Sequence, residues 1–277
     1  MPCSPDMTGA ASDAHAEPPD AAAWLRLPPG QRNWALFLDV DGTLVGPSEP
    51  PEAARIAPQL HPVFRTLMAA TDGAVALVSG RAISSLDQVF APFVLPAAGQ
   101  HGMERRTSRG ELIQEPVDRT ILDALIAHLT RYVATRPGLE IDIKNISVGL
   151  DYRLAPAYAA EAADFFQDLI DREAPGFHVQ RGKTISEARL LSATKGRAIE
   201  AFMAESPFCN RVPVFLGDDL PDEDGFVTTN RLGGVSVRVG ADPVTTAAQW
   251  RIDSIAEVHD WLKNLAATIG DKAQPAP

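Results

Sequence analysis

The sequence predicts an α/β fold, an open and mainly parallel sheet with helices between its strands, interrupted by a small inserted α+β module. Three observations lead there. The apolar runs 34–40, 74–78 and 212–216 each end abruptly in polar residues, as strands of a parallel sheet covered on both faces do. Helix-like segments separate these runs, which is the βαβ pattern of parallel connections. Between about 105 and 182 the pattern changes to mixed strands and amphipathic helices, the mark of a separate module carried by the larger sheet.

Taken in order, Trp34-Ala-Leu-Phe-Leu-Asp-Val40 is apolar until Asp39 interrupts it. A helical stretch follows around Ile56 to Ala70, and Ala74 to Val78 forms a second strand that stops at Ser79-Gly80-Arg81. After the charged stretch Glu104-Arg105-Arg106, the module holds an amphipathic helix (121–133), strands at 140–143 and 147–153, a helix near 157–171, and further strands within 178–188. Lys195-Gly196 opens another helical stretch, and Val212 to Leu216 is a third strand, ending at Gly217-Asp218-Asp219. The expected organisation is therefore a core of residues 31–104 and 183–268 around an insert at 105–182. Residues 1–30, rich in Ala, Pro, Asp and Ser, read as a flexible leader, and 269–277 as a flexible tail.

Composition removes several function classes. With 277 residues, 45% apolar and 22% charged, the chain has the balance of an ordinary globular protein. A formal charge of -11 disfavours nucleic acid or an anionic membrane as a general partner. No apolar run approaches the roughly 20 residues of a membrane span. Cys3 and Cys209 are too far apart to suggest a disulfide framework, so a reducing cytoplasm is the expected location. A monomer is expected.

The strand ends carry the chemistry. Asp39 and Asp41 are two residues apart just past a strand, so their side chains point the same way in extended chain. One carboxylate can attack phosphorus, while the other protonates the leaving alcohol and later activates water. Gly42 and Thr43 let the backbone turn and offer amide donors to phosphate oxygens; the same residues also suit a plain turn. Ser79 can bond a phosphate oxygen, although Ser-Gly after a strand equally marks a simple strand-to-helix turn. Lys195 can neutralise phosphate charge or lie solvated on a surface. Residues 217–224 hold five acids in eight positions directly after a strand. Magnesium prefers a few carboxylate oxygens together with water and phosphate, so one or two of these acids would complete a site begun by Asp39. Asp222 to Asp224 also suit the positive end of the next helix.

In order and placement these four strand-end signals resemble the haloacid dehalogenase (HAD) superfamily. The resemblance implies a Rossmann-like core with a cap inserted in it. It also implies Asp39 as nucleophile, Asp41 as acid/base, and magnesium held by Asp39, the Asp41 backbone carbonyl and Asp218. Ser79, Gly80, Arg81 and Lys195 are the implied phosphate-binding residues. Within that superfamily, residues from about 36 to 240 look like the trehalose-6-phosphate phosphatase family. Ser79-Gly80-Arg81, Gly99-Gln100-His101-Gly102-Met103-Glu104-Arg105, Asp142-Ile143-Lys144 with Tyr152-Arg153, and Gly182 to Arg189 followed by Lys195-Gly196 carry this finer likeness. It implies Asp142, Lys144, Arg153, Lys183 and Glu187 as sugar-binding residues. A disaccharide presents many hydroxyls, and charged groups that bond them discriminate strongly against other esters. Asp151 stands where that family usually has His, Asp142 where it has Glu, Pro221 where it has Thr, and Leu190 where Pro is common.

The expected function is magnesium-dependent hydrolysis of trehalose 6-phosphate to trehalose and phosphate, through an aspartyl-phosphate intermediate, in trehalose biosynthesis. Two alternatives stand beside it. One is a HAD phosphatase for another sugar or glycoside phosphate, of the sucrose or glucosylglycerol phosphate type. The other is a non-catalytic sugar-phosphate-binding protein, since a fold can outlive its chemistry.

Overall fold

A computed structural model describes residues 33–46, 53–144, 146–182, 184–242 and 244–270. The expected leader, 1–30, lies outside the described residues. The chain divides into two compact units, one of residues up to 113 and from 194 onward, the other of residues 114–193.

In the larger unit, β1 (Trp34–Leu38), β2 (Val75–Val78), β3 (Ala97–Gly99), β4 (Glu104–Arg106) and β5 (Leu112–Gln114) come before the smaller unit. Strands β10 (Val212–Gly217), β11 (Val235–Val239) and β12 (Trp250–Ile252) come after it. The sheet order is β12-β11-β10-β1-β2-β3-β4-β5. Strands β12 through β3 are parallel, and β4 turns antiparallel to β3. All five residues of β1 are buried, and they alternate between two cores as the strand period of two demands. Leu36 and Leu38 face a cluster with helix α1 (Leu60–Ala70), α2 (Ile83–Val89) and α7 (Ile255–Gly270), through Phe64, Leu86 and Leu262. Ala35 and Phe37 face the other side, against Ile199 and Phe202 of α5 (Lys195–Met203) and Phe226 of α6 (Glu223–Arg231).

The α1 helix begins at Leu60 rather than near Ile56. Pro58 biases the preceding residue away from helical backbone, which holds this stretch outside the helix. At the other terminus α7 runs to Gly270, so residues 269 and 270 of the expected tail are helical. The remainder of that tail lies outside the described residues. Among the described residues no helix is long and apolar enough to cross a membrane.

The smaller unit is a four-stranded antiparallel sheet of order β6-β7-β9-β8, made of β6 (Glu140–Ile143), β7 (Val148–Asp151), β8 (Phe177–Arg181) and β9 (Ile185–Leu190). Helices α3 (Arg119–Val133) and α4 (Ala159–Glu173) bury Leu125, Leu129, Phe166 and Leu169 against Val148, Leu150 and Ala188. Asp118 caps α3 by accepting from the Thr120 amide at 2.9 Å. The unit's limits differ from the expected 105–182. Residues 104–106 pair with β3 and so join the large sheet, whereas 185–190 form β9, which lies between β7 and β8.

Candidate active site

Strands β2, β1 and β10 are neighbours in parallel register, Leu38 lying level with both Leu77 and Leu216. Their carboxyl ends therefore present Ser79, Asp39 and Asp218 on one edge of the sheet, the edge where ligands bind in open α/β sheets. Asp39 leaves β1 with its amide donating to the Leu216 carbonyl at 3.0 Å, and it is 4% exposed.

Lys195 is the first residue of α5, whose N-cap Thr194 accepts from the Arg197 amide at 3.2 Å. Its buried ammonium donates to Asp39 Oδ1 at 2.8 Å and to Asp222 Oδ1 at 2.6 Å. The other oxygen of Asp222 accepts from the amides of Asp218 and Asp219, both at 3.1 Å. Thr43 Oγ1 lies 3.3 Å from Asp218 Oδ1 and 3.5 Å from Asp39 Oδ2. Gly42, with φ of +82°, is required here on two counts. A Cβ at this position would stand 2.0 Å from Asp218 Oδ2, and few side chains tolerate that backbone conformation.

Asp39, Asp218 and Asp222 each offer a carboxylate oxygen, and these oxygens lie within 4.8 Å of one another. Burial pushes the Asp39 carboxyl well above the usual carboxylate range, with Lys195 opposing and Asp222 and Asp218 adding to the rise. Asp218 is pushed up to about 6, by burial first and then by the charge of Asp222. Burial works against the Lys195 ammonium, but Asp39 and Asp222 outweigh it and hold the proton more tightly than usual. Three carboxylates share one ammonium, so the lysine keeps its proton and Asp39 and Asp218 are forced upward. A hard divalent cation relieves that excess, and oxygen donors of this kind suit one. Both oxygens of Asp222 are already engaged. Among the described residues the bonds from Thr43 to Asp39 Oδ2 and Asp218 Oδ1 are long, and the Asp39 and Asp218 carboxyls meet each other; these two are the acids with capacity for a metal.

The structure thus brings Asp39, Lys195 and Asp218 together. Asp41 is bound by a different partner from Asp39. It lies past the end of β1, half exposed, and Arg81 grips both its oxygens at 2.7 Å. Ser79 is buried at the end of β2, and its Oγ accepts from the Arg81 amide at 3.2 Å. Gly80 is packed so that a Cβ would strike the His101 ring at 2.2 Å.

Asp222 is the residue that sequence reasoning placed least well. Four positions after Asp218 and next to Pro221, it reads as part of a turn. It is one, since Asp219 and Asp222 form a capping box around the 3₁₀ turn 220–222. Pro221 fits there because the start of such a turn needs no amide donor from it. Yet Asp222 also orients Lys195. Asp224 has a like role, accepting from the Gly196 amide at 2.9 Å.

In the smaller unit, Asp142, Gly149, Glu187 and Gln180 lie level across the sheet. Lys144 lies 3.4 Å from Asp142 and pairs closely with Glu187. Arg189 donates to the other Glu187 oxygen at 2.9 and 3.1 Å. Burial favours a neutral Glu187, but Arg189 and Lys144 outweigh it and hold the carboxyl below its usual range. Arg189 carries no role in the sequence reading, although the spacing Glu187-x-Arg189 on a strand puts both on one face. Arg153 is not part of this group. It is exposed and paired at 3.6 Å with Asp151, and Lys183 lies outside the described residues.

The trehalose-phosphatase family model matches residues 37–256. The chain is 36% identical over 241 residues to a trehalose-6-phosphate phosphatase of Escherichia coli, covering 87% of this chain and 90% of that protein. It is 37% identical over 234 residues to a probable trehalose-phosphate phosphatase of Sinorhizobium fredii, covering 84% and 88%. Among solved structures it superimposes on the C-terminal domain of a Candida albicans trehalose-6-phosphate phosphatase with a TM-score of 0.76, at 21% identity and over 92% and 99% of the two chains. The HAD-type fold, the acidic edge around Asp39 and these relatives agree: the chain belongs to the trehalose-phosphatase family of phosphoric monoester hydrolases.

Proposed function

We propose that the protein hydrolyses trehalose 6-phosphate to trehalose and phosphate, with magnesium bound and through an aspartyl-phosphate intermediate. The observation that carries the chemistry is the buried Asp39 carboxylate, gripped by Lys195 through one oxygen and left with the other lightly held. A carboxylate so fixed can present an oxygen for attack on phosphorus.

Asp39, Asp218 and the Asp41 carbonyl would hold the cation. When bound, it neutralises phosphate charge and the excess negative charge of the acids. Lys195 stabilises the charge on the phosphoryl oxygens and on Asp39, while Asp222 keeps the ammonium aimed. Ser79 contributes a hydroxyl to the phosphate. As the Asp39–phosphorus bond forms, the ester bond breaks and its electron pair goes to the sugar oxygen, which takes a proton from Asp41. Asp41 then draws a proton from water, whose oxygen attacks phosphorus and restores Asp39. The smaller unit's charged row, Asp142, Lys144 and Glu187, is suited to reading sugar hydroxyls. Arg153 and Lys183 remain candidates for the same task.

The test is phosphate release from trehalose 6-phosphate, sucrose 6-phosphate, glucosylglycerol phosphate and glucose 6-phosphate, with and without magnesium. Preferred release from trehalose 6-phosphate, abolished in a folded Asp39→Asn variant, is expected. Preference for another ester would reassign the substrate, and appreciable turnover by Asp39→Asn would remove Asp39 as nucleophile.

A further inference from the structure

We infer that Arg81 is a positioning residue for the acid/base carboxyl of Asp41 rather than a phosphate ligand. The inference rests on the role proposed above for Asp41, and it changes the role expected for Arg81.

The geometry is specific. Arg81 Nε meets Asp41 Oδ2 and Arg81 Nη2 meets Asp41 Oδ1, both at 2.7 Å, so two parallel bonds fix the plane as well as the place of the carboxyl. The remaining arm, Nη1, reaches Ser85 Oγ at 3.4 Å, and the Arg81 backbone amide donates to Ser79 Oγ. The arginine is thus committed on several sides, and its side chain is only 13% exposed. Asp41 is the opposite case, with its side chain 51% exposed while both its oxygens are gripped from one side. One partner is anchored in the scaffold at the end of β2, and the other keeps an open face toward solvent. That is the arrangement of a support and the group it supports.

The chemistry makes use of it. In the first step the ester bond breaks, the electron pair moves onto the sugar oxygen, and the Asp41 proton goes with it, so negative charge grows on Asp41. The fork also favours the ionised carboxyl; what it adds to the step is the fixed plane and place of the acid, which need no reorganisation. A lysine at the same place is a point charge and cannot fix the plane.

The experiment compares kcat/KM for two esters with magnesium present. Trehalose 6-phosphate releases a sugar alkoxide that requires a proton, whereas p-nitrophenyl phosphate releases a phenolate that leaves unaided. The constant kcat/KM reports the steps up to loss of the leaving group, so water activation does not obscure the comparison. Arg81→Gln is expected to lower kcat/KM for trehalose 6-phosphate by about 10- to 100-fold, within the range of general acid catalysis. The loss with p-nitrophenyl phosphate is expected to be at least about tenfold smaller on the same basis. Arg81→Lys is expected to restore little of the sugar-ester activity. It also carries the comparison should Arg81→Gln fail to fold. Equal losses for the two esters, or full rescue by lysine, would show a direct phosphate contact and overturn this role alone. No release from either ester by the unaltered protein would overturn the proposed function as well.

Discussion

The two units each gather charged side chains, and the gatherings are built on opposite electrostatic terms. Asp39, Asp218 and Asp222 share the single cation Lys195, which leaves two uncompensated negative charges when all the acids are ionised. Asp142 and Glu187 face Lys144 and Arg189, which leaves none. The consequences appear in the acids themselves, with Asp218 pushed up to about 6 while Glu187 is held below its usual range. A group of charges that repel waits for a cation or a proton. A group that is already balanced needs neither, and it can spend its remaining hydrogen-bonding capacity on a neutral polyhydroxyl ligand.

The sharpest way to break this contrast is to remove divalent cations. A chelator is expected to lower phosphate release at least about 100-fold, with recovery on adding magnesium, because the ion supplies several kcal/mol of charge stabilisation. Undiminished turnover after exhaustive chelation would mean that the acidic edge works without a metal.

The next test replaces one carboxylate in the balanced group. Glu187→Gln leaves Arg189 without its counter-charge and Lys144 with Asp142 alone, and unfolding of the variant should show a loss of about 2–3 kcal/mol. It should also raise the KM for trehalose 6-phosphate more than that for p-nitrophenyl phosphate. A variant as stable as its parent would show that the balance is of no consequence to the fold.

The smallest effect is expected from the mirror-image change in the repelling group. An acid whose folded-state pKa is raised binds more protons folded than unfolded, so it costs stability as pH rises from its unfolded value toward the folded one. For Asp218 that window runs from about 4 to about 6, and the cost is complete above it. In metal-free protein at pH 7, Asp218→Asn should therefore raise the melting temperature, by about 2–4 °C if the relief is ~1 kcal/mol. The gain should fade as pH approaches 4. A lower melting temperature for the variant at pH 7 would contradict the repulsion.

Much of the larger unit is legible because its signals are local. An apolar strand that ends in Asp39, or in Gly217-Asp218, announces both the sheet and the edge where chemistry gathers. The bonds that complete the edge are long-range and carry no such signature. Nothing about Arg81 in the sequence points to Asp41, forty positions earlier. Asp222 reads as a turn residue because it is one, and its second duty exists only once α5 delivers Lys195 to it. The smaller unit was harder to delimit for a related reason. Residues 185–190 follow the β8 turn closely in sequence, but their place is decided by pairing with β7, more than 30 positions away.

Asp222 has a mechanical consequence. One of its oxygens takes the ammonium at the head of α5, and the other takes two successive amides of the loop that carries Asp218. The helix and the loop therefore share a joint at Asp222, beside the tie that Asp224 makes to the Gly196 amide. Through Asp222 a displacement of α5 reaches the loop of Asp218, so the Lys195 ammonium and the Asp218 backbone are coupled. A change at Asp222 would therefore disturb the alignment of both at once.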